Sequence, residues 1–154
     1  MSIEARIKDS LDIMQEGWRR GSGKLFAQPF SKEARFVAFD GSIHHGPDEI
    51  AAFHQKAFDT VLKGTSLDLK VSEIKQIDQK IWLVFSRGWH RPSNAPDEKR
   101  MAESVNIFVY KADEEKAEVL AFQNTRARPI TDQASAESWR AFDNFWKGRQ
   151  TGIA

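Results

Sequence analysis

Ile3, Ile7, Leu11, Met14 and Trp18 recur at spacings of four and three, with Glu, Lys, Asp and Gln between them. That period places one apolar stripe on an amphipathic helix. Gly21 and Gly23 stop it. Ser22 is placed to cap a short second helix from Gly23 to Phe30, which Pro29 favours ending earlier. Ala34 to Asp40 reads as a strand, Gly41-Ser42 as a turn and Ile43 to Gly46 as the return. Pro47-Asp48-Glu49 then opens a helix, with Pro in the first turn and carboxylates at the positive end of its dipole. Ile50, Phe53, His54, Ala57, Phe58 and Val61 form its stripe, and Gly64 is placed to end it.

From residue 65 the period becomes two, with Leu67, Leu69 and Val71 alternating with Asp68, Lys70 and Ser72. Asp78-Gln79 turns the chain into Ile81 to Arg91, a run apolar on both faces, and residues 92–100 form a polar hairpin loop. Met101 to Tyr110 and Val119 to Arg128 are two more long strands, joined by the charged turn Asp113 to Lys116. Trp139, Phe142 and Trp146 fall at helical spacing on a final helix over 134–147. Helices first and meander strands afterwards indicate an α+β class with a curved antiparallel sheet. One face of that sheet is expected against the helices and the other against a second subunit.

Composition narrows the chemistry. The chain has 154 residues with 23 Lys+Arg against 22 Asp+Glu, is 40% apolar, and contains no Cys. That length suits a single core without disulfide staples. Thiolate nucleophiles and thiolate metal sites are excluded, and the balanced charge argues against nucleic acid as a partner. The amino-terminal stretch lacks the apolar run of a signal peptide, and no run of about 18 apolar residues occurs, so a cytoplasmic protein away from membranes is expected. No His-x-x-x-His or Glu-x-x-His pair and no phosphate-binding glycine loop is present, so neither a metal nor a bound cofactor is expected.

Three stretches carry a family likeness. Residues 39–58 (FDGSIHHGPDEIAAFHQKAF) run strand, turn, strand and helix with Gly-x-x-x-x-Gly, residues 62–78 continue it, and VLAFQNTRARP at 119–129 closes on Asn-Thr-Arg. The layout resembles the nuclear transport factor two-like superfamily, and within it the SnoaL-like proteins of the SgcJ/EcaC type. That resemblance implies a cone-shaped α+β barrel over residues 1–130; residues 131–154 are expected to add to the common core a helix and tail packed on the same domain. It also implies a homodimer built sheet to sheet, with one pocket per subunit for a small apolar or polyketide-like molecule. Relatives include isomerases, polyketide cyclases, epoxide hydrolases and dehydratases, and also binding proteins without activity, so fold alone leaves function open.

A two-residue turn at Asp78-Gln79 sets Ile77 opposite Lys80 and puts Leu67, Leu69 and Val71 on the face of His90, Gly88 and Ser86. Even registers then make Trp82, Val84, Ser86, His90, Ser104, Asn106, Phe108, Tyr110, Leu120, Phe122 and Asn124 the concave set. A single bulge exchanges the faces. Candidate ligand-binding residues are Trp18, His54, Trp82, Ser86, Ser104, Asn106, Phe108 and Asn124: aromatic walls with sparse polar groups. The alternative for Asn106 and Asn124 is that they merely satisfy one another. Candidate proton carriers are Asp40, at a strand end, and His44. Asp40 precedes Gly41, so the turn-former reading is the better of the two for it. His44 and His45 are adjacent on a strand and point to opposite faces. His54 is either a satisfied core histidine or a group at the barrel opening. Arg126, Arg128 and Arg100 are a candidate basic patch at one rim.

Overall fold

The computed structural model describes residues 1–94, 102–127 and 132–150. The elements run α1 (Ile3–Arg19), α2 (Gly23–Ala27), β1 (Phe30–Val37), β2 (Ile43–His45), α3 (Gly46–Phe58), β3 (Thr65–Asp78), β4 (Ile81–Pro92), β5 (Ala102–Ala112), β6 (Ala117–Arg126) and α4 (Asp132–Gln150). The fold is α+β as expected, with one six-stranded sheet in the order β2-β1-β6-β5-β4-β3.

Local chemistry sets the helix ends. The Ser2 hydroxyl accepts the Ala5 N–H and caps α1, and the Ser22 hydroxyl accepts the Leu25 N–H and caps α2. α2 ends at Ala27, short of the expected Phe30, because Pro29 follows and its carbonyl accepts the Val119 N–H at 2.9 Å. β1 therefore starts at Phe30, four residues earlier than the alternation suggests. α3 ends at Phe58 instead of running on past Val61, which is 82% exposed. The three helices pack closely. A Cβ on Gly17 would stand 2.3 Å from the Phe26 amide nitrogen, and one on Gly23 would stand 2.2 Å from the Ala51 carbonyl oxygen. Both sites exclude any larger residue.

The sheet confirms the register of residues 65–71 and corrects the turn from which it was reckoned. Leu67, Leu69 and Val71 do face His90, Gly88 and Ser86. The turn itself pairs Asp78 with Ile81, and shifts between Gln76 and Asp78 and between Val71 and Glu73 compensate it. A third shift, between Val109 and Tyr110, puts Val119 opposite Tyr110, so Val119 takes the core place expected for Leu120. β1 runs parallel to β6 and antiparallel to β2, a closure that no local pattern announces.

The core lies between the concave face and the helices. Ile7, Leu11 and Met14 of α1, Phe26 of α2 and Ile50 and Phe58 of α3 meet Val84, Phe108, Tyr110 and Phe122 of the sheet. Tyr110 bonds the Ser10 hydroxyl at 2.7 Å, which satisfies both buried groups. On the convex face Arg87 donates to Glu103 at 2.8 Å, while Val105 and Ile107 are exposed. The expected terminal helix is present as α4, and its described side chains are exposed, Trp139 and Phe142 among them. The expected loop over 92–100 lies largely outside the described residues, as does the Trp146 side chain. Among the described residues no helix is long and apolar enough to cross a membrane.

Candidate functional site

Alternation along β4, β5 and β6 stacks the concave side chains in rows. The innermost row pairs Val84, Phe108 and Phe122, with Phe36 of β1 beside Phe122. The middle row is Ser86, Asn106 and Asn124, and the outermost is Gly88, Ser104 and Arg126. Glycine at 88 is what leaves room above the middle row, since a Cβ there would come within 3.0 Å of both Asn106 Oδ1 and Leu69 Cδ2.

Between these rows and the helices is a cavity of about 330 Å³. Phe36, Phe108 and Phe122 form its aromatic side, with Phe36 stacked on Phe122 at 4.5 Å. Met14, Trp18 and Phe26 close it from the first two helices, and Phe53, His54 and Ala57 from α3. Trp18 is fixed by its indole N–H, which donates to the Thr65 hydroxyl at 2.9 Å, and it stacks on His90 at 6.1 Å.

The polar groups differ in what they have left to offer. Asn106 Oδ1 accepts from Ser86 at 3.3 Å, while its Nδ2 donates to Ser104 Oγ at 3.2 Å and to Asn124 Oδ1 at 3.3 Å. Asn106 is therefore largely engaged by its neighbours. Asn124 keeps its Nδ2 without a protein partner among the described residues.

His54 is 4% exposed, and Phe26 lies against its ring at 3.9 Å with the Phe36 ring edge-on at 4.9 Å. Its Nδ1–H donates to the Ile50 carbonyl at 2.8 Å. Burial is the main cause that pushes its pKa down to about 4, so the ring is neutral near pH 7. With Nδ1 carrying the proton, Nε2 is an acceptor, and it has no protein partner among the described residues. His90, half-buried on the same cavity, is also shifted down, by burial first and by the Arg126 charge second.

Of the residues singled out in the sequence, Trp18, His54, Ser104, Asn106, Phe108 and Asn124 come together on this cavity. Ser86 and Trp82 do not line it. Ser86 is 1% exposed and bonds to Asn106. Trp82 pairs with Tyr110 deeper in the sheet, its buried indole N–H without a partner among the described residues. Asp40 and His44 also stand outside. Asp40 Oδ1 accepts both the Ser42 N–H and the Ser42 hydroxyl, the latter at 2.6 Å, which makes it a turn-former with its carboxyl held below the usual range by those bonds. His44 Nε2 bonds the same hydroxyl at 2.9 Å, and its ring lies against Phe53 at 4.0 Å. His90, which the even registers put in the concave set, and Arg126, named for the basic patch at one rim, are also cavity groups, though neither stood among the candidate site residues. The alternation contained the signal, because His90 shares the face of Leu67 and Arg126 sits two beyond Asn124. Arg100 and Arg128, the rest of the expected basic patch, lie outside the described residues.

Solved structures with this architecture place it. A domain of unknown function with a cystatin-like fold from Nostoc punctiforme is 29% identical, with a TM-score of 0.77 and 97% of each chain covered. An NTF-2-like protein of unknown function from Shewanella oneidensis is 17% identical, with a TM-score of 0.64 over 79% of this chain and 98% of that one. The fold is NTF-2-like. A ketosteroid isomerase-like protein from Erwinia carotovora atroseptica shares it at 11% identity, with a TM-score of 0.62 over 81% of this chain and 96% of that one. No protein-family model matches the chain, and no curated protein does so in sequence. An NTF-2-like fold supports many chemistries, so the site itself must argue for the function.

Chemically, the cavity offers an apolar body with a few fixed hydrogen-bonding groups. The lining carboxylate, Glu103, is paired with Arg87, and the charged lining group left is Arg126. Among the described residues no three His, Asp or Glu side chains gather as a ligand set for a metal ion.

Proposed function

We propose that this chain is a SnoaL-like protein that binds a small, largely apolar or polyketide-like organic molecule in the cavity between its concave sheet face and α1–α3. One observation carries the reading. An aromatic-walled space of about 330 Å³ retains one amide donor, Asn124 Nδ2, and one imidazole acceptor, His54 Nε2, unused by the protein. Apolar walls supply affinity, and the two groups orient a hydroxyl or carbonyl. The stretches 39–58, 62–78 and 119–129 support assigning it to the SgcJ/EcaC type.

A second reading is acid–base turnover, as an isomerase, cyclase or hydrolase. It is favoured by the fixed tautomer of His54, which presents a bare nitrogen to the cavity as a proton acceptor. The same burial that fixes the tautomer weakens the base, to a pKa of about 4, and supports binding as the principal role.

The convex face supports a homodimer. Val105 and Ile107 are 38% and 41% exposed at the centre of the sheet, flanked by half-buried Leu83, Phe85 and Trp89. Sedimentation should find a dimer at micromolar concentration, and a monomer there overturns that part.

A thermal-shift panel of aromatic and alicyclic ketones, epoxides and alcohols tests the binding role, run on the wild type and on Leu69→Trp. Leu69 is a partly buried lining residue, and indole there occupies the space above Gly88. Stabilisation of the wild type that is lost in the variant is expected. A panel that shifts neither protein, or both alike, overturns the reading.

A further inference from the structure

The rows that build the cavity also grade its polarity along one line. Phe122, Asn124 and Arg126 follow one another on β6, two residues apart, opposite Phe108, Asn106 and Ser104 on β5. At about 3.3 Å per residue the aromatic floor and the cationic rim stand about 13 Å apart. The grading runs one way: hydrocarbon, then amide, then charge.

Among the described residues the charge at the rim is uncompensated. Glu103 and Arg126 are the carboxylate and the guanidinium on the described lining, and Glu103 is engaged by Arg87 at 2.8 Å. Arg126 has no carboxylate within ion-pairing distance among the described residues. Its guanidinium lies over the Phe39 ring, 5.1 Å from the centroid, and Phe39 is 57% exposed on the same lining. Stacking on a ring occupies the face of a guanidinium and leaves its N–H edge free, the edge that takes a carboxylate in a two-point contact. His90, shifted toward its neutral form by burial and then by the Arg126 charge, leaves Arg126 as the cation on the described lining. Desolvated space beneath the rim strengthens such a contact relative to open solvent.

We propose that the ligand is an organic acid, with a ring-containing apolar body on Phe108 and Phe122 and a carboxylate at the mouth on Arg126. Asn124 Nδ2, midway, donates to an oxygen on the body when the ligand carries one. The proposal rests on the cavity being the binding site and adds the charge and orientation of what enters it.

Two matched pairs test it: biphenyl-4-carboxylic acid against biphenyl-4-methanol, and 2-naphthoic acid against 2-naphthalenemethanol. Each is titrated calorimetrically at neutral pH into the wild type, Arg126→Gln and Arg126→Lys. In the wild type the acid of at least one pair should bind about tenfold tighter than its alcohol, a ratio equivalent to about 1.4 kcal/mol. Arg126→Gln should erase that preference by weakening the acid, and Arg126→Lys should retain part of it. Acid and alcohol binding alike, or a preference that survives Arg126→Gln, overturns the proposal while leaving the cavity reading intact. If no member of either pair binds the wild type, the cavity reading and the proposal fall together.

Discussion

Replacing His54 by leucine should remove a specific part of the protein's acid sensitivity. His54 is 4% exposed and bounded by the Phe26, Phe36 and Phe58 rings, and its Nδ1–H is committed to the Ile50 carbonyl. Burial lowers its pKa from 6.5 to about 4. In the unfolded chain the ring takes a proton near pH 6.5, whereas the folded protein resists until near pH 4. The stability that depends on a neutral ring is therefore complete above pH 6.5 and is lost as pH falls toward 4. Linkage gives about 2 kcal/mol lost by pH 5 and about 3 kcal/mol by pH 4. Urea unfolding of wild type and His54→Leu at pH 7, 5 and 4 measures this. His90 titrates in the same direction but is present in both proteins, so it cancels in the difference. The stability of the wild type relative to the variant should fall by about 2 kcal/mol between pH 7 and 5. A difference that stays constant across this range would mean that His54 can be protonated in place, and would refute the fixed-acceptor description.

Three further outcomes are expected. Gly17→Ala should destabilise the fold by about 1–3 kcal/mol in urea unfolding, because its Cβ would stand 2.3 Å from the Phe26 nitrogen and force α1 and α2 apart. Asn106→Leu should cost about 1–3 kcal/mol, since Ser86, Ser104 and Asn124 all lose a buried partner; a variant as stable as wild type would show the row to be solvated. Ile107→Asp should raise the dimer dissociation constant at least tenfold in sedimentation equilibrium, because it places a charge at the centre of the convex apolar face.

The helices and the alternation of the long strands were legible because each is a local period imposed by one buried side. Trp18, Ser104, Asn106, Phe108 and Asn124 reach the cavity for that reason, each on the expected face. What escaped was non-local. The parallel pairing of β1 with β6 depends on where the chain closes, and it extends β1 back to Phe30. Register shifts interrupt the β1–β6, β3–β4 and β5–β6 pairings, and the expected pairing of 65–71 holds only because the two in β3–β4 together offset the displaced turn. Asp40 and His44 looked available as proton carriers because a sequence does not reveal that Ser42 bonds both of them. Arg126 is the converse case, an ordinary strand-end charge until Phe39 and the cavity are placed beside it.

The central claim is that the cavity above Phe108 and Phe122 is a binding site. Its most direct test is a calorimetric titration of the compound that stabilises the wild type most, performed on wild type and on Leu69→Trp. One molecule bound per subunit in the wild type, with the heat abolished in the variant, is the predicted result. Equal heats in the two proteins would contradict the account.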